Sequence, residues 1–318
     1  MQSHVNTMNP SNCRLEFWEG GLRSPMAPMN PEQLSRQNAL WRSDINSFGP
    51  WMPAAADRSI QRLTDRIWQP SSGSGDNKIV ICGPCGSAMD VAWDLAGNGR
   101  LEVWDSVISA SQQSGRGQRQ RTWKSPVGNL YAAWRWPDPG SLANPGWEGL
   151  LPLLAGYIAA QVLIEKGLSV RVKWPNDLLV GDRKVGGILL EQKSGRVVVG
   201  IGLNIESRPE DHLLRDDFAI PATSLKIENL AATPLALWLT MVTVGKTIFY
   251  QMVESIAPAE WRRILNRRLA WIGKRVRIRS GHSTPYEATV NGLAEDGGLE
   301  LQAGSRTMVI YSGSLVPV

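Results

Sequence analysis

From Val170 to Ile205 the chain reads VRVKWPNDLLVGDRKVGGILLEQKSGRVVVGIGLNI, and no other stretch limits the fold as tightly. Val170, Val172 and Trp174 alternate with Arg171 and Lys173, the period of a strand. Asp177 to Val180 continues as a short extended piece and turns at Gly181-Asp182. Val185 to Glu191 and Val197 to Ile201 flank Lys193-Ser-Gly195-Arg, which predicts a hairpin. Pro175 pushes the residue before it out of the helical region, so Asn176 and Asp177 follow a stiff corner. Lys184 precedes Gly186-Gly187, and paired glycines in a strand let another backbone or a ligand approach closely. Spacing alone leaves two readings open, a β-meander with ordinary turn chemistry or a site.

Three strings in this stretch carry a resemblance. Lys173-Trp-Pro-Asn-Asp177 comes first, then Asp182-Arg-Lys184 with Gly186-Gly-Ile-Leu-Leu-Glu191, then Gly200-Ile-Gly-Leu-Asn204. In this order and spacing they closely resemble the core of biotin protein ligases. The resemblance implies an α+β fold. A mixed-sheet, biotin/lipoate ligase-like catalytic domain would cover residues 76–270, and a small SH3-like β-barrel residues 271–318. Residues 1–75 lie outside it. It also implies ATP-dependent activation of biotin to biotinyl-5′-AMP. Biotin then passes to a lysine on the biotin carboxyl carrier domain of a carboxylase. ATP and biotin are the implied substrates, and Mg²⁺ accompanies ATP.

The resemblance also proposes the site. Lys184 matches the family's catalytic lysine, and a lysine suits the task as a movable point charge. Ser111 to Trp123 is a glycine-bearing basic loop, in which Arg116, Arg119 and Arg121 supply charge for phosphate or carboxylate. By itself it reads first as a solvated basic loop. It resembles the family's biotin loop, usually Gly-Arg-Gly-Arg-x-Gly-Arg, with Gln118 and Gln120 replacing an arginine and a glycine. Arg116 joins Lys184 in the implied catalytic set, and Gln112, Gly117 and Gln118 join it at biotin. A Ser-Thr-Asn run of the family falls on Ser87-Ala88-Met89, where only the serine is kept. Gly186 and Gly187 complete the biotin side. Arg119, Arg121, Trp123, Asn176 and Asn204 fall at the adenylate end, and Asp177 faces the acceptor lysine.

The N-terminal part reads differently. Met1 to Pro31 shows no sustained period and is expected to be loose. Asn30-Pro31-Glu32 signals a helix start, with Asn as cap and Pro at the first helical position. Ile60, Leu63 and Ile67 would share one face of a helix over Ala54 to Trp68, followed by a Ser71–Gly75 linker. No wing is visible and basic residues alternate with acidic ones, so DNA binding is not expected.

Downstream, Lys78 to Cys82 predicts a buried strand, Ala88 to Leu95 a helix start and Trp104 to Ser109 a strand. Trp147 to Glu165 predicts a long helix closed by Gly167, and Leu235 to Val253 another. Trp261 to Leu269 links to an all-β end from Ile272. The rival reading rests on Cys82-Gly-Pro-Cys85, a thioredoxin-like dithiol at a strand-to-helix junction that would make the chain a redox protein. A regulatory biotin-binding homologue with weakened catalysis is the other alternative, supported by Ala88, Met89 and Gln118.

Composition bounds the rest. The 318 residues suffice for two or three domains. The net charge of +5 suits anionic partners without choosing among them. Three cysteines are too few for a disulfide framework, and no secretory signal or membrane-length apolar run is visible. A cytoplasmic location is expected, with no membrane partner; a homodimer is compatible with the resemblance. The 14 tryptophans read as packing residues.

Overall fold

The computed structural model describes residues 13–20, 28–54, 66–71, 75–142, 147, 149–213, 218–280 and 284–318. Its larger sheet is mixed and, among the described residues, ten-stranded. The strands are β1 (Cys13–Trp18), β2 (Trp51–Pro53), β3 (Ile67–Pro70), β4 (Asn77–Cys82), β5 (Ser106–Ser109) and β6 (Leu130–Trp136). Then come β7 (Val170–Lys173), β8 (Asp177–Val180), β9 (Arg183–Lys193) and β10 (Arg196–Leu203). They run in the order β2-β3-β1-β4-β5-β6-β10-β9-β8-β7, parallel only between β1 and β4 and between β4 and β5.

Period-two alternation splits the sheet's two faces. Ile79, Ile81, Val197, Val199 and Ile201 enter the larger core, whereas Val80, Cys82 and Val198 point to the opposite side. Helix α3 (Ala88–Gly97) covers that second face with Met89, Val91, Ala92 and Leu95. On the first face lie α4 (Leu151–Glu165) and α5 (Pro234–Ser255). Helix α4 is apolar all round, as a helix packed on every side must be. It ends at Gly167 (φ 96°), where Leu168 N–H bonds Leu163 C=O, a left-handed cap. The start expected at Trp147 comes instead at Leu151, and Trp147 is buried ahead of it against Trp261. Trp41, Trp134, Trp136, Trp147, Trp238 and Trp261 are all fully buried, in keeping with a packing role.

The expectation of a loosely ordered segment 1–75 is corrected over its described part. Strand β1 lies inside the sheet between β3 and β4, with Cys13 opposite Asn77 and Trp18 opposite Cys82. Leu15 and Phe17 are buried. Asn30 does cap α1 (Pro31–Gln37), in a capping box with Gln33. A second helix, α2 (Ala39–Phe48), follows and buries Trp41 and Ile45. Asp44 of α2 accepts hydrogen bonds from Thr233 Oγ1 and from the N–H groups of Leu235 and Ala236, so it caps α5. Burial pushes its carboxyl up to about 6, while those hydrogen bonds pull the other way. Ile67 and Trp68 belong to β3 rather than to a helix; the remainder of that helix expectation, and most of the Ser71–Gly75 linker, lie outside the described residues.

At the C-terminal end, α6 (Pro258–Asn266) leads to a second, antiparallel sheet. It contains β11 (Arg275–Arg279), β12 (Tyr286–Leu293), β13 (Leu299–Ala303), β14 (Arg306–Ile310) and β15 (Ser314–Pro317), in the order β14-β13-β12-β11-β15. Trp174 Nε1 donates to Gly297 C=O at 3.0 Å and ties the two sheets together. No helix among the described residues is long and apolar enough to cross a membrane.

Candidate active site

A cleft of about 450 Å³ opens over β8, β9 and β10. Its electrostatic centre is the tight turn between β7 and β8. Lys173 pairs with Asp177 across this turn, and Asp177 in turn pairs with Gly187 of β9. Asp177 therefore meets two ammonium groups, Lys173 Nζ at 2.9 Å and Lys184 Nζ at 2.5 Å. Burial would raise the Asp177 carboxyl, but the charges of Lys173 and Lys184 reverse that and hold it well below the usual carboxylate range.

The floor is made of glycine. Gly187 and Gly202 are cross-strand partners on β9 and β10. A Cβ on Gly202 would stand 2.8 Å from the Trp123 indole, and one on Gly187 would stand 3.3 Å from Trp123 and 3.4 Å from Lys184 Nζ. The bare Gly202 backbone lets the indole lie there, and Gly187 gives it close-fitting room. Lys184 Nζ sits 5.0 Å from the Trp123 ring centre, within reach of a cation–π attraction. The indole Nε1 is buried and without a hydrogen-bond partner.

The basic loop forms the roof as a narrow ladder rather than an open coil. Gln112 N–H bonds Ser125 C=O, Trp123 N–H bonds Gly115 C=O, and Gly117 N–H bonds Arg121 C=O. The tip turns at Gln118–Gln120, where Arg119 adopts φ 55°. The Gln112 side chain accepts from Ala88 N–H and donates to Ser125 Oγ, locking loop to helix. Arg121 donates to Ser314 Oγ of β15 at 3.2 Å, so the second sheet also touches the roof.

Of the residues expected at biotin, Ser87, Met89, Gln112, Arg116, Gly117, Gln118, Lys184 and Gly187 line the cleft. At the expected adenylate end, Arg119, Arg121, Trp123, Asn176 and Asn204 line it, as does Asp177 on the expected acceptor side. Ala88 and Gly186 do not: Ala88 faces the core beneath α3, and Gly186 lies against Leu203 and Gly202 C=O. Asn176 and Asn204 are committed to backbone, donating to Ile188 C=O and Thr223 C=O, so they shape the walls. Sequence reasoning quoted Lys173 within its motif but gave it no role, and it missed Phe218. A hairpin register that puts positions four apart face to face was the available signal for Lys173. Phe218 had none, because Arg277 and Arg279 reach it from the distant β11.

Cys82 and Cys85 are both free and buried. Their mutual hydrogen bond pushes Cys82 up and lowers Cys85. Burial keeps a partner protein's disulfide from reaching either sulfur, which removes the basis for a thioredoxin-like enzyme.

The Biotin/lipoate A/B protein ligase family profile matches residues 86–206, the segment that builds roof, floor and Lys184. A Paracoccus denitrificans biotin–[acetyl-CoA-carboxylase] ligase is 26% identical over 70% of this chain and 92% of its own length. Over this segment the chain is similar to biotin protein ligases. A second relative, the Escherichia coli bifunctional ligase/repressor BirA, is 35% identical over 53% of this chain. That match spans about half of the relative, 54% of its length. A solved Aquifex aeolicus biotin protein ligase has a similar fold, with a TM-score of 0.63 over 76% of this chain and 99% of that one, at 22% identity.

Proposed function

We propose that the protein is an ATP-dependent biotin protein ligase. It joins biotin to ATP as biotinyl-5′-AMP and passes biotin to a lysine on a carboxylase's biotin carrier domain. One observation carries this reading: Lys184 stands beside a glycine floor, between an aromatic ring and a half-buried carboxylate, under an arginine-bearing loop. In the first step a biotin carboxylate oxygen attacks the α-phosphorus; an O–P bond forms and pyrophosphate leaves. Lys184 supplies positive charge where negative charge builds up, in a cleft that limits water. Arg119 and Arg121 face the phosphate end, and Trp123 offers its face to the adenine. In the second step the acceptor amine, its ammonium proton given to solvent, attacks the acyl carbon; the C–N bond forms, the C–O bond to the phosphate breaks, AMP leaves and the remaining amine proton passes to solvent.

Asp177 is too acidic to take a proton at neutral pH, since a general base works best with a pKa near the operating pH. Its role is to orient Lys173 and Lys184 on the side of the cleft where the acceptor lysine would enter. Mg²⁺ belongs with ATP's own phosphates: Asp177, the acidic group at the centre of the cleft, is already neutralised by two lysines, and Mg²⁺ is commonly held through substrate phosphates. We read the five-stranded C-terminal sheet as an SH3-like barrel and residues 76–270 as the catalytic unit, acting in the cytoplasm. The described part of residues 13–70 is built into that unit.

Incubation with biotin, MgATP and a carrier domain tests the reading by mass. One biotinyl unit on the carrier lysine is expected. Biotin binding without pyrophosphate release would favour the regulatory alternative, which the apolar Met89 on Gly200 supports.

A further inference from the structure

Arg116 does not point its charge at an open cleft. Its guanidinium forks between two carboxylates, Asp90 Oδ1 at 2.6 Å and Glu191 Oε1 at 3.3 Å. The two come from different elements, Asp90 from the first turn of α3 and Glu191 from β9. Glu191 is aimed in advance. Its other oxygen accepts from Trp93 Nε1 and pairs with Lys193 Nζ, both at 2.9 Å, and that ammonium lies 4.8 Å from the Trp93 ring centre. Within the loop, Arg116 stands directly opposite Thr122. Fixing Arg116 therefore fixes both arms of the ladder that carries Gln118, Arg119 and Arg121 over the cleft.

We propose that Asp90 and Glu191 are positioning residues: they hold Arg116, and through it the 111–125 loop, across the cleft before any ligand arrives. This rests on the ligase reading above. A single exposed ion pair does little. Here a planar fork matched to two carboxylates ties loop, helix and strand at one point, and the Glu191 end is shielded. Its consequence for the reaction is retention. A roof held in place need not be ordered by the adenylate, so the intermediate leaves slowly and biotin is captured at lower concentration.

Hydrogen exchange on the ligand-free full chain reads the latch without reference to activity. In Asp90→Asn and in Glu191→Gln, the amides of Gly117, Arg121 and Trp123 should exchange roughly fivefold faster, with α4 unchanged. Asp90→Asn is the cleaner arm because it leaves Trp93 and Lys193 on Glu191, and Asp90→Glu should restore protection. With biotin and MgATP, both variants should release biotinyl adenylate faster and show a raised KM for biotin at unchanged kcat for transfer. Wild-type exchange at all three amides in both variants overturns the latch. Faster exchange with wild-type adenylate release and KM overturns its role in the reaction. Faster exchange in a protein whose wild type forms no adenylate supports the latch and refutes the ligase reading instead.

Discussion

Residues 13–70 and residues 170–205 enter the same sheet by opposite routes. In the second region each strand pairs with its sequence neighbour. β9 folds back on β10 through Ser194-Gly195, both at positive φ, and β7 folds on β8 across a short turn. In the first region the partners are remote: Cys13 lies opposite Asn77, and Asp44 caps a helix that begins at Pro234. The described residues of the first region supply nothing to the cleft, yet they bury Phe17, Leu34 and Trp41 completely. Stability and chemistry are thus assigned to different stretches of one sheet.

Deleting residues 1–75 should break the protein most severely. It uncovers the edge of β4 and removes Phe17, Leu34 and Trp41, each worth about 1.5–3 kcal/mol of burial in a domain stable by only about 5–15 kcal/mol. Circular dichroism should show no cooperative melt. A truncated chain that melts cooperatively and still ligates biotin would erase the distinction between the regions.

Lys184→Ala should do the reverse. Pyrophosphate release with biotin and ATP should fall by at least about 100-fold, the scale of losing one preorganised electrostatic contact. The melting temperature should stay close to wild type, because Asp177 keeps Lys173. Release at the wild-type rate would sink the assignment.

Asp44→Ala leaves three α5 donors without their cap and should cost about 1–3 kcal/mol of stability, measured in urea, without changing the KM for biotin. Asp177→Asn should also destabilise, with a particular pH signature. A depressed folded pKa gives stability that is present above the unfolded carboxylate pKa of about 3.9 and is lost as pH falls toward the folded value. The gap between wild type and Asp177→Asn should hold steady from neutral pH to about pH 4 and close only below it.

The smallest expected effect is at Gln118, a neutral group where the family's usual loop has a cation. Gln118→Arg should slow loss of biotinyl adenylate by about tenfold if a charge-assisted contact gains about 1.4 kcal/mol. Labelling of an unrelated lysine-rich protein reports it; equal labelling by both forms would show that the charge already comes from another arginine.

These contrasts explain what could be read in advance. The hairpins of 170–205 were legible because period-two alternation and turn chemistry are local, and the Lys184 string carried the family resemblance. The cap of α1 was legible for the same reason. Strand β1 was not: its six residues have no period long enough to stand out, and its partner lies beyond two helices and two strands. The loop's composition suggested a basic coil open to solvent, whereas Arg116 is neutralised by carboxylates that no spacing rule links to it. Ala88 and Gly186 were placed in the cleft by alignment to a motif, and their burial shows that a motif fixes position along an element better than direction away from it.

The Gly187–Gly202 floor has a consequence for inhibitors. A planar heterocycle that displaces the Trp123 indole would land on bare backbone, with Lys184 at its rim and no side chain to push aside. A larger residue at Gly202 would push on the protein's own tryptophan, whereas Gly187 asks the ring to give by only a few tenths of an ångström. Compounds built to lie flat there would bind a surface that the protein cannot thicken at Gly202 without shifting its own ring.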